Sequence, residues 1–150
     1  MLGYCKAKEI LKSYYKLSFD KCADNEKLIT LDKHKYMHSL HVYDIGKKII
    51  KNEIKLKNLS EELIKIAEIS LLLHDIGRFD EAIDKSNNKY NYSDHSILGY
   101  EILKNIVGVD DLRLLLSVKH HGHLAVAIDD DKLINLVNCE TNKIFFKKAS

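Results

Sequence analysis

Eight histidines stand in 150 residues, and five of them, His38, His74, His95, His120 and His121, fall at the ends of helical patterns or on their apolar stripes. The most informative stretch is "SLLLHDIGRFD", residues 70–80, where a leucine run ends in the adjacent pair His74 and Asp75. A polar pair delivered by an apolar segment needs partners, because burying a charge without compensation is costly. Neutral imidazole nitrogen and carboxylate oxygen together suit a borderline divalent metal such as manganese, iron, cobalt, nickel or zinc. Any one histidine on an apolar face is more often a packed core residue than a ligand. The case for metal rests on the set arriving from separate helices with a shared inward phase. His34, His41 and His123 read as surface or supporting residues, with His34 and His41 one turn on either side of His38.

The elements that must position these side chains are helices. The spacing predicts an amphipathic helix over 6–16 through Ile10, Leu11, Tyr14 and Tyr15, and a polar connection over 20–27. A longer helix over about 33–54 carries His38, Val42, Ile45 and Ile49 on one stripe, with the His38 ring pointing inward. Ser60, followed by Glu61 and Glu62, reads as an N-cap with an acidic first turn. The helix it opens has Leu63, Ala67, Ser70, Leu71 and His74 on one face and ends before Gly77. Residues 80–93 are polar and Asn-rich and read as a long surface loop. Ser93 or Asp94 then caps a helix with His95, Leu98, Gly99, Ile102 and Ile106 in line, where Gly99 allows a close helix approach. "LRLLLSVKHH" forms another helix, buried on both faces and running into Gly122, and a last segment over about 131–148 is helical in its first half. No stretch alternates apolar and polar residues, so the fold class is all-α, a compact helical bundle.

Composition bounds the rest. At this length the chain is one domain with a single core. Lys plus Arg number 24 against 22 Asp plus Glu, a net charge of +2 spread along helices, which argues against an extended nucleic-acid surface. Cys5, Cys22 and Cys139 are odd in number and widely spaced, the pattern of a reducing compartment rather than a disulfide framework. The N-terminus has no signal-peptide pattern and no apolar run reaches the length of a membrane span, so a cytoplasmic location is expected.

The segments "HKYMHSLHVYDIGKKI", "LLLHDIGRFD", "DHSILGYEIL" and "SVKHHGH" resemble, in order and separation, the motifs of the HD-domain metal-dependent phosphohydrolase superfamily. The variety most similar is the small stand-alone bacterial type with an "HDIGRF" signature. The resemblance covers about residues 33–142 and implies a single HD domain over 1–150. It implies that His38 is the first metal-binding histidine, that His74 and Asp75 are the doublet naming the family, and that Asp75 bridges where two ions are held. It further implies that His95 and His120 or His121 complete the second site. Arg78 stands where some relatives place a basic residue near the substrate phosphate, or else caps a helix C-terminus at the surface.

One position departs from the pattern. The family's closing metal ligand is an aspartate in the region that here reads "LINLVNCETNKIFF", and neither Cys139 nor Thr141 is an aspartate. Glu140 is the nearest carboxylate and Cys139 is an alternative thiolate ligand, and the resemblance implies a truncated or diverged C-terminal part. With a complete site, the resemblance implies hydrolysis of a phosphomonoester or phosphodiester, with nucleotides as the leading substrates. One or two divalent ions, from manganese, iron, cobalt, nickel, zinc or magnesium, would activate water. Asp75, Arg78 and His95 are the catalytic candidates, with His95 or His120 as the acid for the leaving oxygen if not a ligand. The competing expectations are a degenerate HD domain that binds metal or nucleotide as a regulatory module, and a helical bundle with incidental histidines.

Overall fold

In the computed structural model the described residues are 1–89 and 94–122, with the backbone alone for 53–57. They form six α-helices and no strand: α1 (Tyr4–Lys21), α2 (Glu26–Lys57), α3 (Glu61–Leu73), α4 (Gly77–Ser86), α5 (His95–Glu101) and α6 (Leu112–His120). The all-α class expected from the sequence is what is observed. None of the described helices is long and apolar enough to cross a membrane. The last helical segment expected over 131–148 lies outside the described residues.

The core is built from the inward faces of these helices. Ala7 and Leu11 of α1, Tyr43 of α2, Ile66, Ile69, Leu72 and Leu73 of α3, Phe79 of α4 and Leu114, Leu115 and Val118 of α6 form one cluster. The long helix α2 packs on α3, α1 and α4, while α5 packs between α4 and α6. Each buried leucine or isoleucine contributes roughly 1.5–3 kcal/mol by leaving water. Local signals set most boundaries. Ser60 accepts from Leu63 N and Asp94 accepts from Ser96 N, so both expected caps operate. Asp111 does the same for α6, accepting from Arg113 N.

Four expectations are corrected. First, α1 and α2 both extend further than read. The connection between them shrinks to Cys22–Asn25 because the Asn25 side chain accepts from Leu28 N and starts α2 early. Second, the inward stripe of α2 is not the one expected. Asp32, Ser39, Tyr43 and Gly46 are buried, whereas Ile45 and Ile49 are each 58% exposed. A small and polar stripe lies inward there, so aliphatic spacing points to the wrong phase of this helix. Third, residues 80–86 are not loop but the body of α4, held by buried Phe79 and Ala82. The helix stops only where Asn88 adopts a left-handed conformation (φ 54°), which asparagine tolerates.

Fourth, the stripe of α5 does not run straight to Ile106. After Glu101 the chain continues as a π-helical turn over Ile102–Val107, ended by Gly108 at φ 79°. The widened turn brings Leu103 inward beside Ile102 and leaves Ile106 69% exposed.

Candidate metal centre

The doublet is placed by the junction of α3 and α4. Helix α3 ends at Leu73, and Ile76 N bonds to Leu73 O while Arg78 N bonds to Asp75 O, each in a tight three-residue step. The turn swings His74 and Asp75 to one end of the bundle while Leu72, Leu73 and Ile76 stay fully buried. Gly77 opens α4 because no side chain fits there. A Cβ on it would collide with the His95 carbonyl oxygen and lie 2.6 Å from Gly99 N. The first turn of α4 therefore sits directly against α5, bringing His95 up to the doublet. Gly99, as expected, serves the same close approach, next to Val118 and Ile76.

Asp75 is the centre of the arrangement, with its side chain 6% exposed. Its Oδ2 faces His74 Nε2 at 3.7 Å and His38 Nε2 at 3.9 Å. Its Oδ1 faces His95 Nε2 and His121 Nε2, both at 3.3 Å. Within each pair the imidazoles also converge: Nε2 to Nε2 is 3.3 Å for His74 and His38, and 3.1 Å for His95 and His121. Two groups of three potential ligand atoms result, His38–His74–Asp75 and Asp75–His95–His121, sharing one carboxylate.

The outer nitrogens decide what the inner ones offer. His74 Nδ1 donates to Leu71 O and His121 Nδ1 donates to Val118 O, both at 2.7 Å, since a carbonyl only accepts. His95 Nδ1 likewise lies 3.2 Å from Asp94 Oδ1. With Nδ1–H committed, Nε2 is the nitrogen that faces Asp75, a donor to the carboxylate when it carries a proton and a lone pair for a metal ion when it does not. Lone pairs from two rings and a carboxylate oxygen converging at these distances repel one another unless a cation lies among them. That donor set fits a divalent ion of the manganese-to-zinc series at either group.

The electrostatics follow the same geometry. Burial would raise the Asp75 pKa, but hydrogen bonds from His121 and His95 and the charges of His74 and Lys35 hold it far below the usual carboxylate range. His74 is lowered, chiefly by burial. Burial acts the same way on His121, yet its bonds to Asp75 and to the Val118 carbonyl outweigh it and raise the pKa.

Of the residues singled out in the sequence, His38, His74, Asp75, His95 and His121 are thus brought together. His120 lies outside both groups, the neighbouring position having been filled by His121. Glu140 and Cys139, together with His123, lie outside the described residues. His34 and His41 are exposed, with the His34 ring stacked on His38 at 6.5 Å. Arg78 is not a C-terminal cap: it is the second residue of α4, with Nη1 3.0 Å from Glu81 Oε2 and Nε 3.8 Å from Asp75 Oδ1. Lys35 was missed altogether. Its Nζ lies 3.4 Å from Asp75 Oδ2, from a position three residues before His38 on α2. The i, i+3 spacing with His38 was the available signal.

The family model for the HD domain matches residues 36–140 of the 150. The chain belongs to the HD-domain family. The match takes in His38, the His74–Asp75 doublet, His95 and His121, so the residues that converge in space are those within the family's own span. No curated protein and no solved structure matches the chain. As an HD domain it joins a superfamily of metal-dependent phosphohydrolases, and its His/Asp groups are able to hold a metal.

Proposed function

We propose that this HD domain is a metal-dependent phosphohydrolase acting on a small phosphate ester, with a nucleotide as the leading substrate. The observation that carries the reading is the shared carboxylate: each oxygen of Asp75 faces its own pair of imidazole Nε2 atoms. His38 and His74 with Asp75 would hold one ion, and His95 and His121 with Asp75 a second. When bound, such ions supply Lewis acidity, which makes water a nucleophile near neutral pH and polarises phosphoryl oxygens.

The chain's own residues do the rest. The Leu71 and Val118 carbonyls fix the His74 and His121 rings in the tautomer that presents Nε2. Arg78 turns a buried Nε toward the centre, where it makes no hydrogen bond among the described residues, and is placed to face a phosphoryl oxygen. His95 belongs with the ligands in this reading, so it is not spare to protonate a leaving oxygen.

The test is phosphate release from a panel of nucleotides and simple aryl phosphates by the full chain with added manganese. Turnover that is lost in His74→Ala and Asp75→Asn supports the hydrolase. A second reading, a degenerate HD domain that binds metal without turnover, is favoured by the lack of an aspartate at Cys139 and Thr141, where the family's closing ligand is expected. Tight metal binding with no release from any ester in the panel would decide for it.

A further inference from the structure

Lys35 and Arg78 divide Asp75 between them much as the histidines do. Lys35 sits on the Oδ2 side, with His38 and His74, and Arg78 sits on the Oδ1 side, with His95 and His121. The two cations are nevertheless not equivalent. Arg78 also reaches Glu81 at 3.0 Å, and Glu81 is held below its ordinary pKa, against burial, by Lys85 and Arg78. Much of the guanidinium charge is therefore spent on a second carboxylate. Lys35 has only Asp75 as its acidic partner among the ion pairs of the described residues, and its side chain is 22% exposed.

We propose that Lys35 is a phosphate-binding residue that exchanges Asp75 for a terminal phosphoryl oxygen, and that it selects a dianionic phosphomonoester over a diester. The inference rests on the metal-centre reading above. Cations held at the two groups would neutralise the Asp75 carboxylate, which is the ammonium's present counter-ion. Lys35 would then be left half-buried beside a centre whose donors, among the described residues, are four neutral imidazoles and a single carboxylate. The charge of such a centre is strongly positive, and an anion carrying two charges offsets it better than one carrying one. Oxygen count points the same way. A monoester offers three terminal oxygens, enough for two ions and Lys35 at once, whereas a diester offers two. The position suits the task, because Lys35 is one turn from His38 on the longest helix of the bundle.

The opposing possibility is that Lys35 only balances Asp75 and helps the fold. The two roles predict opposite effects on metal. A structural counter-ion, once removed, leaves the carboxylate less well placed and metal uptake weaker. A phosphate ligand that competes for Oδ2 and repels a cation, once removed, leaves metal uptake equal or tighter.

The experiment is calorimetry on the full chain, wild type, Lys35→Gln and Lys35→Arg. Zinc or manganese is titrated first, then inorganic phosphate, methyl phosphate and dimethyl phosphate into the loaded protein. The expected result for Lys35→Gln is metal affinity equal to or above wild type and phosphate affinity lower by about tenfold or more. Lys35→Arg should recover phosphate binding, and wild type should bind methyl phosphate about tenfold or more tighter than dimethyl phosphate. Unchanged phosphate affinity in Lys35→Gln, a parallel fall in metal and phosphate affinity, loaded wild type that takes up no phosphate, or equal binding of the two esters would overturn the proposal. Binding without turnover of any ester would defeat the hydrolase reading and leave the Lys35 assignment standing. Turnover that persists with phosphate binding untouched in Lys35→Gln would do the reverse.

Discussion

Gly77 and His95 touch backbone to backbone: a Cβ added to Gly77 would overlap the His95 carbonyl oxygen and come within 2.6 Å of Gly99 N. A clash with a flexible side-chain tip can be relieved by a rotamer change, but here the obstacle is the main chain of α5. Gly77→Ala must therefore push α4 and α5 apart, and His95 with it. The expected outcome is a loss of about 3 kcal/mol of stability, at the upper end for overpacking, measured by urea unfolding. Metal uptake should fall as well, since His95 Nε2 lies 3.3 Å from Asp75 Oδ1 only through this approach. An alanine variant with wild-type stability and metal content would show that the helices tolerate separation.

The shared carboxylate makes the two halves of the centre separable by mutation. His74→Ala removes a donor from the His38 half alone, and His121→Ala from the other half alone. Each should leave one ion bound and weaken the other by about 100-fold or more, since even supporting residues change metal affinity by about 10- to 100-fold. Asp75→Asn keeps the shape but gives up the anion common to both groups, so both ions should be lost together. Metal content after dialysis distinguishes the cases. Equal losses in all three variants would mean that the chain holds a single ion.

The parts of this architecture that were legible in the sequence are those with a local cause. The caps at Ser60 and Asp94 operate through side-chain oxygens on nearby backbone N–H groups, and Leu72 and Leu73 before His74 are buried as their run declares. His74, His95 and His121 could be placed because they fall at helix ends, a signal that survives small errors in helix boundaries. What was not legible depends on contacts between distant segments. The inward stripe of α2 carries Asp32, Ser39 and Gly46, which hydropathy does not rank as core. Asp32 finds the Ser18 hydroxyl on α1 at 2.7 Å, and Gly46 faces Leu71, so its burial is decided by partners that spacing on one helix cannot reveal. Lys35 carries one local signal, its i, i+3 spacing from His38, but its meaning comes from Asp75 forty positions later.

The π-helical turn gives a direct test of phase. A regular helix from His95 would align Ile106 with Ile102, whereas the observed turn buries Leu103 and exposes Ile106 to 69%. Leu103→Ala should cost about 2–5 kcal/mol as a fully buried leucine. Ile106→Lys should stay within about 0.5 kcal/mol of wild type, as surface substitutions do. Chemical denaturation of both variants reads the result, and the reverse ranking would restore the straight helix.

Asp32 gives the fold a pH dependence of its own. Its side chain is buried at 1% exposure, and the Ser18 hydroxyl donates to Oδ2 at 2.7 Å. Burial raises its pKa from 3.8 to about 6, the Ser18 bond offsetting only part of the effect. Between those values the folded protein holds a proton that the unfolded chain has released. Stability must then fall as pH rises from about 4 to about 6, and the penalty levels off above that range. For a carboxyl moved this far it is on the order of 3 kcal/mol at pH 7.5. Asp32→Asn cannot ionise, so it should be more stable than wild type at pH 7.5 and lose most of that advantage at pH 4.5. The Tyr15 phenol close by, raised by burial and by Asp32, does not ionise in this range. Unfolding by urea with a chelator present keeps metal-linked protonation of the histidines out of the comparison, and histidine titration common to both proteins cancels in the difference. A stability difference that is the same at both pH values would mean that Asp32 is ionised throughout and draws its compensation from another group.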